Sequence, residues 1–372
     1  MTATAPRVLT LNAGSSSLKW AIFAGATRVA GGGIDRLGCG AANLGAALAR
    51  VLDGLGSQEL SRLQAVGHRV VHGGTRYTQS CRVSPQLLGD LRLLSPLDPD
   101  HLPAELTIIA DVGRLCPNLP QVACFDTAFF ADLPRLARLL PIPRRFIDDG
   151  VRRYGFHGLS CTFLMDALRR VDRVAATGRV VLAHLGSGAS LAAVSEGRCV
   201  DTTMGFTPNS GILMGTRSGD VEPGVLLHLL RNGMSVGELD DLVNHQSGLL
   251  GVSGTSSDMR DLLAAEAHDP HAAEAIGLFC YQAARAVGAL ATTLGGLDTL
   301  IFAGGVGERA PAIRVRIAER LAHLGVEVDP DRNEVSAAVI STGRCVVRVI
   351  HTDEESVIAR QTIATLAQGT SI

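Results

Sequence analysis

The feature that most constrains the fold of this chain is one pattern, two apolar segments joined by a turn of small residues, that occurs in both halves. Residues 9–23 read LTLNAGSSSLKWAIF, and residues 182–194 read LAHLGSGASLAAV. In each case an apolar strand leads into glycine and serine and then into a second apolar strand. Duplication explains this recurrence better than two unrelated hairpins do. We therefore predict two related α/β domains, each with one such hairpin.

The turns themselves suit the binding of anions. Small residues let backbone N–H groups approach a phosphate closely, and Lys19 adds a positive charge to the first turn. That turn is not a Walker loop, because GxxxxGK[ST] is absent and a strand, not a helix, is predicted to follow. A serine-rich β-turn without a ligand is the alternative. A third glycine cluster, residues 304–307, follows a predicted buried strand and precedes a predicted helix, as nucleotide-binding turns often do.

The composition favours a soluble protein of two domains. A chain of 372 residues exceeds the usual size of a single core, and its 46% of hydrophobic residues suffices for well-buried cores. A net charge of −2 gives no basic field for nucleic acid. The eight cysteines show no CxxC or metal-binding spacing, which is typical of reduced thiols. Because neither a signal peptide nor a membrane span is predicted, we expect a cytoplasmic protein that binds neither nucleic acid nor a membrane.

Hydrophobic periodicity predicts strands and helices that alternate along much of the chain. Strands are predicted at residues 8–11, 19–23, 65–72, 121–125, 180–185, 191–194, 198–201, 299–303 and 346–350. Helices are predicted at 41–55, 85–94, 104–115, 160–171, 222–232, 236–244, 270–294, 310–324 and 356–367. A proline-rich loop that ends near 146–152 is the candidate domain boundary.

Eleven short motifs follow one another in the order found in one family. They are NAGSSSLK (12–19), GHRVVHGG (67–74), FDTAF (125–129), RRYGFHG (152–158), HLGSGAS (184–190), DTTMGFTP (201–208), MGTRSGD (214–220), SGLLGVSG (247–254), SSDMR (256–260), AGGVGE (303–308) and TDEE (352–355). In these segments, which extend almost from end to end, the chain resembles the acetate kinase family of acyl-phosphate-forming kinases.

The resemblance implies an architecture and a reaction. It implies two duplicated actin-like (ribonuclease-H-like) domains with a nucleotide and substrate cleft between them. Residues 1–148 plus 356–372 would form the N-terminal domain, with the terminal helix packed back, and 149–355 the nucleotide-binding domain. The reaction would be the Mg²⁺-dependent, reversible transfer of the ATP γ-phosphoryl group to acetate, with Mn²⁺ as an alternative metal. The family is typically dimeric, and the apolar helix at 272–294 is either an interface or part of a core.

Phosphoryl transfer to a carboxylate brings two anions together and therefore requires cationic groups at both. Arg69 and Arg217 suit this need, because a guanidinium can hold a carboxylate or phosphoryl group bidentately and both lie in nearly uncharged segments. Surface ion pairs are the alternative. The resemblance places both arginines in the active site, with Arg69 on the substrate carboxylate. It also makes His157 a stabiliser of the transition state and Asp126 an essential aspartate that positions an arginine or metal-bound water.

The remaining site residues also follow from the resemblance. Asn12 and Glu354 would hold Mg²⁺, which prefers oxygen ligands. Val71, Phe156 and Pro208 would form the apolar pocket for the acyl chain. ATP or ADP would contact the largest group: Lys19, Ser15, Ser17, His184, Leu185, Gly186, Ser187, Gly188, Asp258, Met259, Arg260, Gly305, Val306, Gly307, Glu308 and Arg309.

Several positions depart from the family pattern. Ser187 and Arg309 each replace an asparagine on the nucleotide side, and Asp100 replaces a leucine of the acyl pocket if 98–101 aligns with Ala-Pro-Leu-His. These departures leave open a kinase for propionate or butyrate, or one that uses pyrophosphate. A non-catalytic nucleotide-binding regulator is a further alternative, but such a protein would be expected to lack the reaction-centre residues.

Overall fold

The computed structural model describes residues 5–14, 17–34 and 41–368. Its strands are β1 Arg7–Ala13, β2 Leu18–Ala24, β3 Thr27–Ile34, β4 Ala65–Val70, β5 Cys81–Arg82, β6 Gln121–Phe125, β7 Val180–Leu185, β8 Ala189–Ser195, β9 Arg198–Thr202, β10 Thr299–Ala303 and β11 Val346–Val349.

Fifteen helical segments accompany these strands in the described part of the chain. They are α1 Ala41–Leu60, α2 Pro85–Leu94, α3 Leu102–Leu115, α4 Arg135–Arg138, α5 Arg144–Asp148, α6 Gly158–Val171, α7 Pro223–Arg231, α8 Val236–His245, α9 Gly248–Ser253, α10 Met259–Ala265, α11 Pro270–Leu294, α12 Gly304–Arg309, α13 Pro311–Glu319, α14 Pro330–Glu334 and α15 Glu354–Gln368. Short 3₁₀ turns lie at Ser95–Leu97, Ala128–Phe130, Ala175–Thr177 and Ala322–Leu324.

The contacts group the chain into two compact units. The first unit contains residues 1–131, 156–163 and 353–372, and the second contains 132–155 and 164–352. Helix α6 is thus divided between them. The units differ from the expected domains chiefly at 132–148 and 156–163, and the expected domain limits remain a prediction.

The first unit is built on a six-stranded sheet of order β3-β2-β1-β4-β6-β5. The predicted hairpin is confirmed, since β1 and β2 pair antiparallel and Gly14 N–H donates to the carbonyl of Ser17 at 2.8 Å. Strands β1, β4 and β6 are parallel to one another, so their carboxyl ends lie at the same edge of the sheet. Ligands collect at that edge in α/β sheets.

Helices cover both faces of this sheet, which is why its central strands read as nearly continuous apolar runs. On one face Leu9 and Leu11 of β1 pack with Leu48 of α1 and Ile108 of α3. On the other face Val122 and Cys124 of β6 pack with Val357 and Ile358 of α15 and with Leu159. Buried strands of this kind hold the groups at their ends in fixed positions.

The second unit repeats the topology of the first. Its sheet has the order β9-β8-β7-β10-β11, with β7, β8 and β9 antiparallel and β7, β10 and β11 parallel. The series β3-β2-β1-β4-β6 shows the same order and the same directions. Duplication, predicted from two hairpin sequences, is therefore confirmed at the level of the whole sheet.

Helix α11 is a core helix of the second unit. Among the described residues it is the one helix that is long and apolar enough to cross a membrane, and half of its most apolar window is buried. Asp269 caps its first turn, Gly295 ends it in the left-handed conformation, and it packs against β8. Burial against its own sheet explains the apolar sequence without a membrane.

Two expectations about local structure were incomplete. The predicted helix at 310–324 ends at Glu319 and continues only as a 3₁₀ turn at Ala322–Leu324. Strand β3 was not predicted, because its sequence TRVAGGGI contains three glycines and is mostly exposed. It forms because β2 offers it a hydrogen-bonding edge, which is interrupted by one register shift between Ile22 and Phe23.

Candidate active site

Four predicted site residues of the first unit meet at the carboxyl edge of its sheet. Asn12 lies near the end of β1, Arg69 near the end of β4, and Asp126 directly after β6. Glu354, the first residue of α15, joins them through a hydrogen bond of 2.9 Å from the Asn12 amide nitrogen. The parallel pairing of the three strands brings these distant residues to one place.

Arg69 is the centre of this group. Its Nε donates to Asp126 Oδ2 at 2.9 Å, and its Nη2 lies 2.8 Å from the same oxygen. Its Nη1 donates to Glu105 Oε1 at 3.2 Å and to the carbonyl of Ala13 at 3.4 Å. The arginine side chain is 12% exposed, and both carboxylates are 1% exposed. Such a buried network fixes the guanidinium rigidly at the sheet edge.

The charges of the group shift the pKa values of its members. Burial alone would lower the pKa of Arg69, but Asp126, Glu105 and Glu354 together raise it above its usual range. Burial raises the pKa of Asp126 and that of Glu354, although Arg69 opposes both shifts. Arg69 is therefore always charged. Its one positive charge is the favourable partner of all three carboxyl groups, so each of them receives only part of that stabilisation.

Glu105 was not predicted as a site residue. It lies in the first turn of α3, and its Oε2 accepts a hydrogen bond of 2.9 Å from the N–H of Val71. Burial raises the pKa of Glu105 to about 8, with Arg69 and the Val71 N–H opposing the shift. The sequence signal was an acid inside the apolar segment LPAELTII, where a buried carboxylate needs a partner.

Asp98 is a second buried acid that the sequence analysis did not single out. Its Oδ1 accepts from the His101 backbone at 3.1 Å and lies 2.8 Å from His101 Nδ1, while Oδ2 is buried without a hydrogen-bond partner. Asp100, the residue suspected of entering the acyl pocket, is only half-buried. The buried charge in this loop is therefore that of Asp98.

The segment before α6 places His157 under conformational constraint. His157 has φ of +60°, a left-handed value that side-chain-bearing residues rarely adopt. A Cβ at Gly158 would overlap the carbonyl oxygen of Asp126, so only glycine allows the helix to start there. Leu159 N–H then points at Asp126 Oδ1, at 3.4 Å. Strained backbone of this kind is found preferentially at functional sites.

The predicted metal residues form an oxygen-rich pair beside this group. Asn12 Nδ2 lies 2.9 Å from Glu354 Oε2 and 3.5 Å from Glu355 Oε1. Burial raises the pKa of Glu354, and Arg69 and Lys19 oppose that rise. No cluster of three His, Cys, Asp or Glu side chains that could hold a metal occurs in the described ranges. The donors fit Mg²⁺, which needs only one or two protein oxygens when phosphates supply others.

The predicted acyl pocket is partly apolar in the first unit. Val71 is 2% exposed and Phe156 is 1% exposed, and the Phe156 ring meets the His72 ring edge to face at 5.4 Å. Pro208 belongs to the second unit, where its carbonyl accepts a hydrogen bond of 2.8 Å from Arg217 Nη1. The structure thus places Val71 and Phe156 in one unit, and Pro208 beside Arg217 in the other.

Three backbone segments converge in the second unit. The turn between β7 and β8 is closed by Gly186 N–H donating to Gly188 at 3.0 Å, and Gly215 N–H donates to the carbonyl of Ser187 at 2.9 Å. Gly304, at φ +74°, passes so close to the Leu185 carbonyl that a Cβ would lie 2.6 Å from it. The predicted nucleotide turns at 184–188 and 305–309 are therefore neighbours.

The other predicted nucleotide residues have mixed surroundings. Ser17 and Lys19 border the first hairpin turn and Lys19 is exposed, while Ser15 lies outside the described residues. Asp258 caps α10 and pairs with the exposed Arg260, whereas Met259 is 4% exposed and packs in the core. Ser187, Gly305 and Arg309 are exposed, Val306 and His184 are half-buried, and Leu185 and Gly307 are buried.

Glu308 and Arg314 hold the third glycine cluster, residues 304–307, in place through hydrogen bonds to its backbone. Glu308 Oε1 accepts 3.0 Å hydrogen bonds from Gly304 N–H and Thr352 N–H. Arg314, which is fully buried, donates to the Gly307 carbonyl at 2.9 Å and to Asn333 at 2.7 Å. Two buried charged side chains thus hold α12 against its sheet.

Comparison with known proteins identifies the family. A model described as the acetokinase family matches residues 37–360. The chain belongs to the acetokinase family. Over 317 aligned residues it is 48% identical to the acetate kinase of Rhodopseudomonas palustris. The aligned region covers 83% of this chain and 78% of that protein.

Solved structures of acetokinase relatives share the fold over nearly the whole chain. The crystal structure of Porphyromonas gingivalis acetate kinase superposes with a TM-score of 0.87 at 34% identity, covering 97% of this chain and all of that one. A propionate kinase from Francisella tularensis gives 0.86 at 33% identity, with coverages of 96% and 99%. The expected actin-like α/β fold is therefore confirmed, and the chain is a phosphotransferase with a carboxyl group as acceptor.

Proposed function

We propose that this protein transfers the γ-phosphoryl group of ATP reversibly to acetate, forming acetyl phosphate and ADP. The observation that carries the proposal is the buried guanidinium of Arg69, held at the carboxyl edge of the first sheet in a chain of the acetokinase family. A fixed, permanently charged fork at a ligand-binding edge is suited to hold a small carboxylate.

The acceptor needs no general base, because a carboxylate is already ionised near neutral pH. One of its oxygens attacks the γ-phosphorus, the new P–O bond forms, and the bond to the β-phosphate oxygen breaks in line with it. In this reaction Arg69 orients the acceptor and Asp126 orients Arg69. Val71, Phe156 and Pro208 contact the methyl group, and His157 donates a hydrogen bond to the transferring phosphoryl group.

We assign the nucleotide to the glycine turns. The backbone N–H groups of the turns at 186–188 and 305–307 bind phosphate oxygens, and Arg217 neutralises the charge that develops during transfer. Lys19, Ser15 and Ser17 add contacts from the first hairpin turn. His184, Leu185 and the segments 258–260 and 308–309 line the nucleotide site.

Asn12 and Glu354 are the residues that would hold Mg²⁺, or Mn²⁺ in its place. Their oxygen donors and the neighbouring Glu355 suit a hard cation that arrives with phosphate ligands. When bound, the ion would neutralise phosphate charge and so favour the approach of a second anion. The protein contribution is to fix the donors through the hydrogen bond between Asn12 and Glu354.

The experiment is a matrix of acceptors against donors. Acetate, propionate and butyrate are each combined with ATP or pyrophosphate, and acyl phosphate is trapped as the hydroxamate. We expect the highest kcat/KM with acetate and ATP. Higher values with a longer acid, or with pyrophosphate, would replace the substrate in the proposal. No hydroxamate from a folded sample with any pair would contradict it.

We also propose a cytoplasmic homodimer formed through the hairpin of α7 and α8. Neither helix has a buried residue among those described, although α7 reads PGVLLHLLR. Val225, Leu227 and Val236 are 45%, 48% and 76% exposed. Helix α11, by contrast, contributes ten residues to the core of its unit. An exposed apolar helix pair is typical of a surface that a second copy covers.

A further inference from the structure

Arg69 already has acceptors on every nitrogen of its guanidinium before a substrate is considered. Nε and Nη2 face Asp126, and Nη1 faces Glu105 and the Ala13 carbonyl. A carboxylate that binds Arg69 must therefore share the positive charge with two acids of the protein. Glu105, the acid beside Nη1, lies on helix α3, whereas Asp126 follows strand β6.

The carboxyl group of Glu105 is held on both oxygens. Oε1 lies 3.2 Å from Arg69 Nη1, and Oε2 accepts from Val71 N–H at 2.9 Å. Arg69 lies in β4 and Val71 directly follows that strand, so the Glu105 side chain braces both the arginine and the backbone of a predicted acyl-pocket residue. The protonation state of Glu105 therefore determines how strongly the protein itself binds the Nη1 group of Arg69.

We propose that Glu105 is a positioning residue that acts through Arg69: ionised, it retains the Nη1 edge of the guanidinium, and protonated, it releases that positive charge to the acceptor carboxylate. This inference rests on the proposed function, in which Arg69 binds the acceptor. Binding of the acid is then coupled to the uptake of one proton from solvent onto Glu105, while the acceptor stays ionised.

The surroundings of Glu105 make this coupling operate near neutral pH. Burial, helped by Asp98 and Asp126, raises the pKa of Glu105 to about 8 against the opposing effects of Arg69 and the Val71 N–H. His101 is engaged with Asp98, and Glu354 faces Arg69 rather than Glu105. A second anion on Arg69 takes away part of the opposing interaction, so acceptor binding favours the protonated form.

The test is the pH dependence of KM for acetate at saturating ATP, measured through hydroxamate formation between about pH 7 and pH 9. If only the protonated form binds the acid well, KM for acetate rises about tenfold over this range. KM for ATP changes little. In Glu105→Gln the single amide oxygen can accept from Arg69 or from the Val71 N–H, and the side chain cannot titrate, so KM for acetate becomes independent of pH.

Asp111→Asn is the matched control, because Asp111 lies on the same helix, is half-buried and pairs with Arg114 away from Arg69. It should keep the wild-type pH dependence. A flat KM for acetate in the wild-type enzyme, or an unchanged slope in Glu105→Gln, would overturn the inference. Retention of the slope would assign it to Asp126 or Glu354, whose pKa values are also raised.

A second measurement uses only the wild-type protein and does not depend on turnover. Acetate is titrated calorimetrically at about pH 8 in two buffers of different ionisation enthalpy, and we expect uptake of about half a proton per acetate bound. Binding without proton uptake overturns the inference. Proton uptake in a protein that makes no acyl phosphate supports the inference and contradicts the proposed function, so the two failures are distinguishable.

Discussion

At the scale of single residues, the site is one arginine shared by several buried acids. Arg69 contacts Asp126 and Glu105 within 3.2 Å, and all three side chains are largely removed from water. Removing one partner of such a group leaves a buried charge without compensation, which costs more than the pair contributed. Substitutions here should therefore alter substrate binding and stability together.

Arg69→Lys tests the need for a forked cation. Lysine keeps the charge but cannot contact Asp126, Glu105 and a substrate carboxylate at the same time, so we expect kcat/KM for acetate to fall about 10²–10³-fold. KM for ATP should change much less. Arg7→Lys, which alters the ion pair with Glu59 in the same unit, is the control and should leave both parameters near wild type.

The raised pKa of Glu105 also predicts how stability depends on pH. Its pKa rises from an ordinary 4.5 to about 8 on folding, so the folded state binds the proton more tightly than the unfolded state does. The stabilisation is therefore complete below about pH 4.5 and is lost as the pH rises through 8, by about 5 kcal/mol in all. Denaturant unfolding at several pH values should show this decrease, and Glu105→Gln should reduce it. An equal decrease in both proteins would refute the assignment.

Asn12, Arg69, Asp126 and Glu354 were expected as site residues because each lies in a motif of the family resemblance. The structure brings them together because β1, β4 and β6 are parallel, and their roles in the reaction remain predictions. Glu105 could not be predicted in the same way, since its importance depends on a contact across 36 positions of sequence. The apolar segment around Glu105 suggests that the acid is buried, but nothing local identifies the arginine that it faces.

At the scale of elements, helix α6 begins where the backbone is least relaxed. His157 at φ +60° and Gly158 against the Asp126 carbonyl together let the Leu159 N–H point at Asp126. The sequence predicted a helix from 160 and a functional histidine, but the left-handed conformation becomes visible only in the structure. The role of His157 in the reaction remains a prediction.

The strain at position 157 reverses the usual order of two substitutions. Glycine normally destabilises relative to alanine, but at φ +60° alanine is strained and glycine is not. We expect the free energy of unfolding of His157→Gly to be about 1 kcal/mol higher than that of His157→Ala. Both variants lose the imidazole and should lose most of their kcat. Equal stability of the two would show that the conformation is relaxed in solution.

The position of the third glycine cluster, residues 304–307, depends on hydrogen bonds from the buried Arg314. Arg314 Nε and Nη2 donate to Asn333 at 2.7 Å, and Nη1 donates to the Gly307 carbonyl. Arg314→Lys removes most of these bonds, so we expect a loss of about 3 kcal/mol of stability and a several-fold increase in KM for ATP. Arg316→Lys, two residues along α13 in a half-exposed pair with Glu266, should change both quantities little.

At the scale of the whole molecule, duplication was the strongest prediction from the sequence. Two hairpin sequences of similar pattern led to two sheets with the same strand order and directions. The sequence could not reveal β3, whose glycines carry no apolar pattern, nor the short helices α9, α10, α12 and α14. These elements are fixed by tertiary contacts, which periodicity does not report.

The exposed face of α7 predicts the oligomeric state. Leu227→Glu places a charge in the proposed interface, and we expect light scattering to show a shift from dimer to monomer with little change in unfolding temperature. Leu93→Glu, at an 80% exposed leucine of α2, is the control and should remain dimeric. A wild-type monomer, or a dimer that tolerates Leu227→Glu, would contradict this interface.

The most direct test of the account is to observe the product of phosphoryl transfer to the carboxylate. Wild-type protein is mixed with MgATP and acetate labelled with ¹⁸O in both oxygens, and the reaction is followed by ³¹P NMR. The account predicts acetyl phosphate and ADP in equal amounts, with an isotope shift on the acyl phosphate signal from the labelled bridging oxygen, and neither product from Arg69→Ala. Formation of ADP with inorganic phosphate alone, or an acyl phosphate without the label at the bridge, would contradict it.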